Sequence, residues 1–132
     1  SGRMAGTTMV AHRKTVVVCW DPNAGLRTLS TDAFQTDVSA INDADQVLFS
    51  QVRDAPVQML EKVLLFPRQE YFLWDPKRDE IPLNRYVPVG KGERVSMTDI
   101  NNKGCVLGVI YSEKKGTSRA VLLEPIPERW GR

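Results

Sequence analysis

The residues able to do chemistry are few and badly spaced for it. The chain of 132 residues has one histidine, His12, and two cysteines, Cys19 and Cys105. A Ser-His-Asp or Cys-His constellation needs an imidazole held rigidly against its nucleophile, and His12 stands in a small, polar, basic stretch with no periodicity. Zinc needs four Cys, His or carboxylate ligands with close pairs at fixed spacing, which this set does not supply. The carboxylate pairs Asp43 with Asp45 and Asp79 with Glu80 lack the spacing of a calcium loop. Gly90-Lys91-Gly92-Glu93-Arg94 is glycine-rich and basic, but it has neither the Walker spacing nor a convincing strand before it. The expectation is no catalytic residue, no metal ligand and no cofactor, hence no enzyme.

Recognition chemistry is better represented. Arg68, Lys77, Arg78, Arg85 and Lys91 lie among Tyr71, Phe72, Trp74 and Tyr86. Exposed rings beside cations can stack single-stranded bases, which makes RNA or single-stranded DNA binding the alternative reading. The acids Glu70, Asp79 and Glu80 are interleaved, no RNP-type motif is present, and the net charge is only +2. The interleaved acids and the low net charge weaken the field a nucleic acid would need. Aromatics ringed by Arg and Lys also make interface anchors. The partner-binding set read from the sequence is therefore Tyr71, Trp74, Lys77, Arg78, Arg85 and Tyr86, serving a protein partner and no small-molecule substrate.

The elements that must position these residues begin with a tripeptide that occurs twice. Trp20-Asp21-Pro22 and Trp74-Asp75-Pro76 each follow an apolar run. Asp favours the first position of a turn and Pro presets φ for the second, so both sites read as hairpin corners. Trp20 ends the most apolar strand in the chain and reads as core closure, whereas Trp74 stands among charges and reads as the binding corner. Residues 14–20 predict a central strand covered on both faces, and residues 26–29 its returning partner. Ile41, Ala44, Leu48 and Val52 recur at helical spacing, which predicts one amphipathic helix ending near Arg53. Residues 62–66 and 71–74 read as a second hairpin, residues 84–102 as a long loop, and residues 105–111 with 119–123 as a closing hairpin. A single helix on a mixed, mostly antiparallel sheet follows, an α+β fold of β-grasp type with an extra C-terminal hairpin.

Composition bounds the rest. With 42% apolar and 26% charged residues the chain is average for a globular protein. Residues 1–13 read as a flexible arm, Ser1-Gly2-Arg3 ahead of Met4 being a cloning remnant; 14–124 read as one domain, and 125–132 as a proline-punctuated tail or the start of a linker. No apolar window long enough to span a bilayer and no signal-peptide core are found, which makes an intracellular, cytoplasmic protein the default.

Two fragments resemble the N-terminal ubiquitin-like domains of kinetoplastid cytoskeletal scaffold proteins. They are Leu73-Trp74-Asp75-Pro76-Lys77-Arg78-Asp79-Glu80-Ile81-Pro82-Leu83 and Val121-Leu122-Leu123-Glu124-Pro125-Ile126-Pro127-Glu128-Arg129-Trp130. The resemblance implies a β-grasp adaptor at the head of a longer, self-assembling scaffold. It would dock a partner through an aromatic and basic patch on its sheet.

Overall fold

The computed structural model describes residues 2–52 and 69–126, together with the backbone of 57–58 and 64–65. Twelve strands run along the described residues. They are β1 (Met4–Ala11), β2 (Lys14–Asp21), β3 (Gly25–Thr28), β4 (Gln35–Ile41), β5 (Val47–Val52), β6 (Val57–Gln58), β7 (Leu64–Leu65), β8 (Glu70–Asp75), β9 (Asp79–Pro82), β10 (Glu93–Ile100), β11 (Val106–Ser112) and β12 (Thr117–Leu123). One turn of 3₁₀-helix, Asn84–Tyr86, follows β9.

Three main antiparallel sheets result, ordered β1-β2-β3, β4-β5-β8-β9 and β10-β11-β12, plus the small β6-β7 ribbon. The second sheet is the middle layer. On one face Leu48, Tyr71 and Leu73 pack with Met97, Ile100, Val106 and Ile110 of β10 and β11. On the other, Val47, Phe49, Phe72 and Trp74 pack with Val17, Cys19 and Leu29. Alternate residues of a strand point to opposite faces, so β5 and β8 supply apolar side chains to both cores at once. Phe49 and Phe72, opposite each other in register, stack with centroids 5.3 Å apart.

This architecture corrects the α+β expectation: no α-helix occurs among the described residues, and the β-grasp fold implied by the resemblance is not adopted. The expected helix is the β4-β5 hairpin. Its turn is set by Asn42, whose Oδ1 accepts from the backbone N–H groups of Ala44 at 3.1 Å and Gln46 at 2.9 Å. Such an Asx turn competes with helix, and Asp45, at φ +62°, is left-handed rather than helical. The spacing of Ile41, Ala44, Leu48 and Val52 was that of a stripe, yet Leu48 and Val47 serve opposite cores.

Three further expectations change. Met4–Ala11, expected as a flexible arm, is a strand paired along most of β2. The expected loop over 84–102 contains the eight-residue strand β10. Residues 71–74 pair with β5 and β9, and Leu64–Leu65 pairs with Val57–Gln58, so the hairpin expected between 62–66 and 71–74 does not form; the rest of 62–66 lies outside the described residues. In the tail only Pro125 and Ile126 are described.

Both Trp-Asp-Pro corners are hairpin turns, and they are built alike. Asp21 Oδ1 accepts from Asn23 N–H at 2.7 Å and Ala24 N–H at 3.1 Å. Asp75 Oδ1 accepts from Lys77 N–H at 2.8 Å and Arg78 N–H at 3.2 Å. Each three-residue loop then ends on a left-handed residue opposite its aspartate, Gly25 at φ +77° and Asp79 at φ +58°. The closing hairpin also forms as read, β11 and β12 pairing in unbroken register.

Phe49 is fully buried between two layers. Phe49→Ala is expected to cost about 3–5 kcal/mol in urea unfolding followed by circular dichroism, the range for an aromatic truncated in a core that cannot collapse. A loss under about 1 kcal/mol would show that the middle layer is not packed as described.

Candidate functional site

The six residues read as a binding patch are split by the fold. Trp74 and Tyr71 are each only 5% exposed and belong to opposite cores. Trp74 is further roofed by the Arg27 guanidinium, 5.2 Å from its ring centroid, a contact of about 0.5–2 kcal/mol. Lys77 and Arg78 are exposed in the β8-β9 corner, with Arg78 reaching back to Asp75 at 3.5 Å. Arg85 and Tyr86 are exposed on the 3₁₀ turn at the far end of β9, Arg85 lying 6.0 Å from the Tyr86 ring centroid. The fold thus makes two small groups, each of two residues, at opposite ends of one hairpin, and takes both large anchors out of reach of solvent. Of the four rings weighed as a base-stacking platform, Phe72 is buried too, leaving Tyr86. Arg68 lies outside the described residues.

The polar constellations are occupied by the fold itself. Asn42 Nδ2 donates to Gln46 Oε1 at 2.8 Å and to the Asn101 carbonyl at 2.9 Å, and Gln46 Nε2 donates to Asp75 Oδ2 at 2.8 Å. This buried chain fastens the middle layer to the β10-β11 turn. Nearby, Asn102 Nδ2 donates to Asp43 Oδ2 and Asp43 N–H donates to Asn102 Oδ1, both at 2.9 Å. Asp45 receives Arg3, which also bridges to Asp21. In the glycine-rich segment, Glu93 accepts from Gly90 N–H at 2.7 Å and from Arg119 at 2.6 Å, so a carboxylate fills the place a phosphate would take. Arg119 foremost, with the Gly90 amide, holds the Glu93 carboxyl below its ordinary range.

The nucleophile candidates are equally quiet. His12 lies in the exposed β1-β2 turn. Cys19 and Cys105 are free thiols, and burial pushes the Cys19 thiol up, away from the reactive thiolate. Among the described residues no group of three or more His, Cys, Asp or Glu side chains is placed to hold a metal ion. No helix of the described residues is long and apolar enough to cross a membrane.

What the fold does expose is the outer surface of the β1-β2-β3 sheet. Val17 and Cys19 of β2 face the core, so Val16, Val18 and Trp20 occupy the other face. That face is closed at Val16, half-open at Val18 and open at Trp20, which is 41% exposed. Trp20 stands directly between Met4 of β1, 61% exposed, and Leu26 of β3, 65% exposed. The next row across the sheet is Gly6, Val18 and Thr28, with open space over Gly6. The two Trp-Asp-Pro corners therefore have the reverse of their expected roles: Trp74 closes a core and Trp20 faces solvent. Met4 and Leu26 were missed because neither flanks a recognisable motif. Their only signal is parity with Trp20, invisible while both faces of β2 read as apolar.

Burial works against the Asp75 charge, and it is outweighed by donation from Gln46, from the Lys77 and Arg78 amides, and by the Arg78 charge, which together hold the carboxyl below its ordinary range. A folded-state value below the unfolded one contributes stability above the unfolded pKa, about 4, that is lost as pH falls through the folded value. Asp75→Asn is accordingly expected to flatten the acid limb of stability against pH, read from urea midpoints below about pH 4. An unchanged limb would remove Asp75 from the acid response. No family model matches the chain, and no curated protein or solved structure matches it either.

Proposed function

We propose that this chain is a non-enzymatic protein-interaction domain that receives an apolar segment of a partner protein on the outer face of the β1-β2-β3 sheet. The observation that carries the reading is the in-register row Met4, Trp20 and Leu26, three large apolar side chains from three adjacent strands, all exposed. Scattered exposed apolar residues are ordinary, but a contiguous row costs solvation free energy until it is covered. Tryptophan is the residue most enriched at the energetic centre of interfaces, and here it is flanked on both sides by flexible or aliphatic contact area. The supporting strands are rigidly set: β2 is held by β1 and β3 within its sheet and by its inner face on the core.

The role of the cations changes with the site. The cations Lys77 and Arg78 lie in the β8-β9 turn of the middle sheet and Arg85 on the 3₁₀ turn that follows it, away from the Trp20 row in the sheet order. They can steer encounter but do not anchor this contact.

The test compares capture from extract of the native cell by the wild-type protein, by Trp20→Ser/Leu26→Ser and by Arg78→Ala/Arg85→Ala. Partner affinity is expected to fall about thirtyfold or more in the first variant, the loss of a central tryptophan costing about 2 kcal/mol or more, with little change in the second. Trp20 is exposed, so both variants should keep the wild-type circular dichroism and urea midpoint. A purified partner bound equally by wild type and Trp20→Ser/Leu26→Ser, or a ligand that proves to be an oligonucleotide with a steep salt dependence, contradicts the reading.

A further inference from the structure

Among the described residues of the three main sheets, six strands lie at an edge: β1, β3, β4, β9, β10 and β12. An edge offers unpaired backbone donors and acceptors to any other strand, and proteins blunt it with bulges, brevity, charge or proline. Five of the six are blunted here. The register of β1 slips between Met9 and Ala11, that of β4 between Val38 and Ala40, and that of β10 between Met97 and Asp99. β3 and β9 are four residues each, and β9 also carries Asp79, Glu80 and Pro82. β12 lacks the bulge, the brevity and the proline, and its one charge is tied to a carboxylate of its own sheet. It runs seven residues, pairs with β11 without a slip from Thr117 to Leu123, and contains no lysine, proline or glycine.

Its chemistry suits one occupant. The single charge on β12, Arg119, is bound by Glu93 of the same sheet at 2.6 Å, so the edge offers no free cation to attract an acidic peptide. Its outward side chains include Leu122, 56% exposed, which lies opposite the exposed Leu107 of β11. We infer that β12 is an association edge whose occupant is a second copy of this chain, the two β12 strands pairing antiparallel. Centred on Val121, this pairing sets Ala120 opposite Leu122 of the second copy, Arg119 opposite Leu123, and Ser118 opposite Glu124. No like charges meet. Two three-stranded sheets become one of six, within the commonest range of about four to six strands. The outward row Leu107 and Leu122 then continues into Ala120 and Val109 of the second copy, which gives Leu122 an apolar lateral neighbour across the new seam.

This inference concerns a different sheet from the Trp20 face and stands or falls separately. Sedimentation velocity of the full chain over a range of concentrations tests it. The wild type is expected to pass from monomer to dimer as concentration rises. Ala120→Lys/Leu122→Lys places like charges directly opposite across the two-fold and is expected to weaken the dimer about tenfold or more. Mixing it with Ala120→Glu/Leu122→Glu should restore a heterodimer. Both positions are exposed, so circular dichroism should be unchanged; should a variant lose structure, the wild type alone decides, through concentration-dependent slowing of hydrogen exchange at β12 amides. A wild type that stays monomeric throughout overturns the inference, even if it binds a peptide. So does a lysine variant that dimerises as tightly as the wild type, or a dimer whose β12 amides gain no protection.

Discussion

The pairing of β5 with β8 leaves neither strand a face for water, and the rest of the molecule is arranged around that fact. Five consecutive residues of β5, Val47 to Gln51, and five of β8, Tyr71 to Asp75, are buried. A sheet with two apolar faces must be covered twice. The β1-β2-β3 sheet covers one face and the β10-β11-β12 sheet the other, and each covering sheet is amphipathic, with one face in a core and one facing outward. Polar groups caught inside are partnered: Thr36 Oγ1 and the Ser30 and Thr31 oxygens meet Gln51 Nε2, and Gln46 links Asn42 to Asp75. Gln51 Oε1 is the one buried side-chain atom without a partner among the described residues, which places a cost of about 1–3 kcal/mol beside the bulged strand β4.

How much of this was legible follows from the same constraint. Turns written in local chemistry could be read: the aspartate and proline of both Trp-Asp-Pro corners, Gly25 at the first, and the polar Glu113-Lys114-Lys115-Gly116 loop of the closing hairpin. These depend on a few neighbouring residues and on nothing distant. The middle layer could not be read, because strand periodicity appears only when one face is wet. Val47-Leu48-Phe49 is apolar throughout, so its period of two is silent, and the accidental spacing of Ile41, Ala44, Leu48 and Val52 spoke for a helix. Asn42 held the contrary signal, since an Asn whose side chain takes two backbone amides makes a turn, but that geometry is fixed by contact with Asn101, far along the chain. β1 and β10 were illegible for a different reason. Neither shows a clean alternation of apolar and polar residues, since β1 exposes its Met4, Met9 and Val10 and β10 buries only Met97 and Ile100, and their partners β2 and β11, rather than their own composition, make them extended.

The functional reading turns on the same point of geometry. Two corners identical in turn chemistry deliver their tryptophans to opposite fates, because Trp74 lies in a strand covered twice and Trp20 in a strand covered once. The sequence neighbourhood pointed the other way: charges surround Trp74 and valines precede Trp20. Those charges lie in the turn, outside the strand, where Lys77 and Arg78 are solvated without exposing the ring three and four positions earlier. The valines before Trp20 alternate, Val17 inward and Val18 outward, so the run is not buried on both sides along its length. An apolar face on one covering layer and an unblunted edge on the other give the protein two separate means of contact, one hydrophobic and one through backbone hydrogen bonds.

The most direct test of the layered arrangement, and of the surface it leaves for recognition, is the accessibility of the two corner tryptophans. In a Trp130→Phe background, acrylamide quenching of Trp20→Phe and Trp74→Phe isolates each indole in turn. A blue-shifted, poorly quenched emission is expected when Trp74 remains, under Arg27 and between sheets, and a red-shifted, readily quenched emission when Trp20 remains. A readily quenched Trp74 beside a protected Trp20 would contradict both the middle layer and the proposed face.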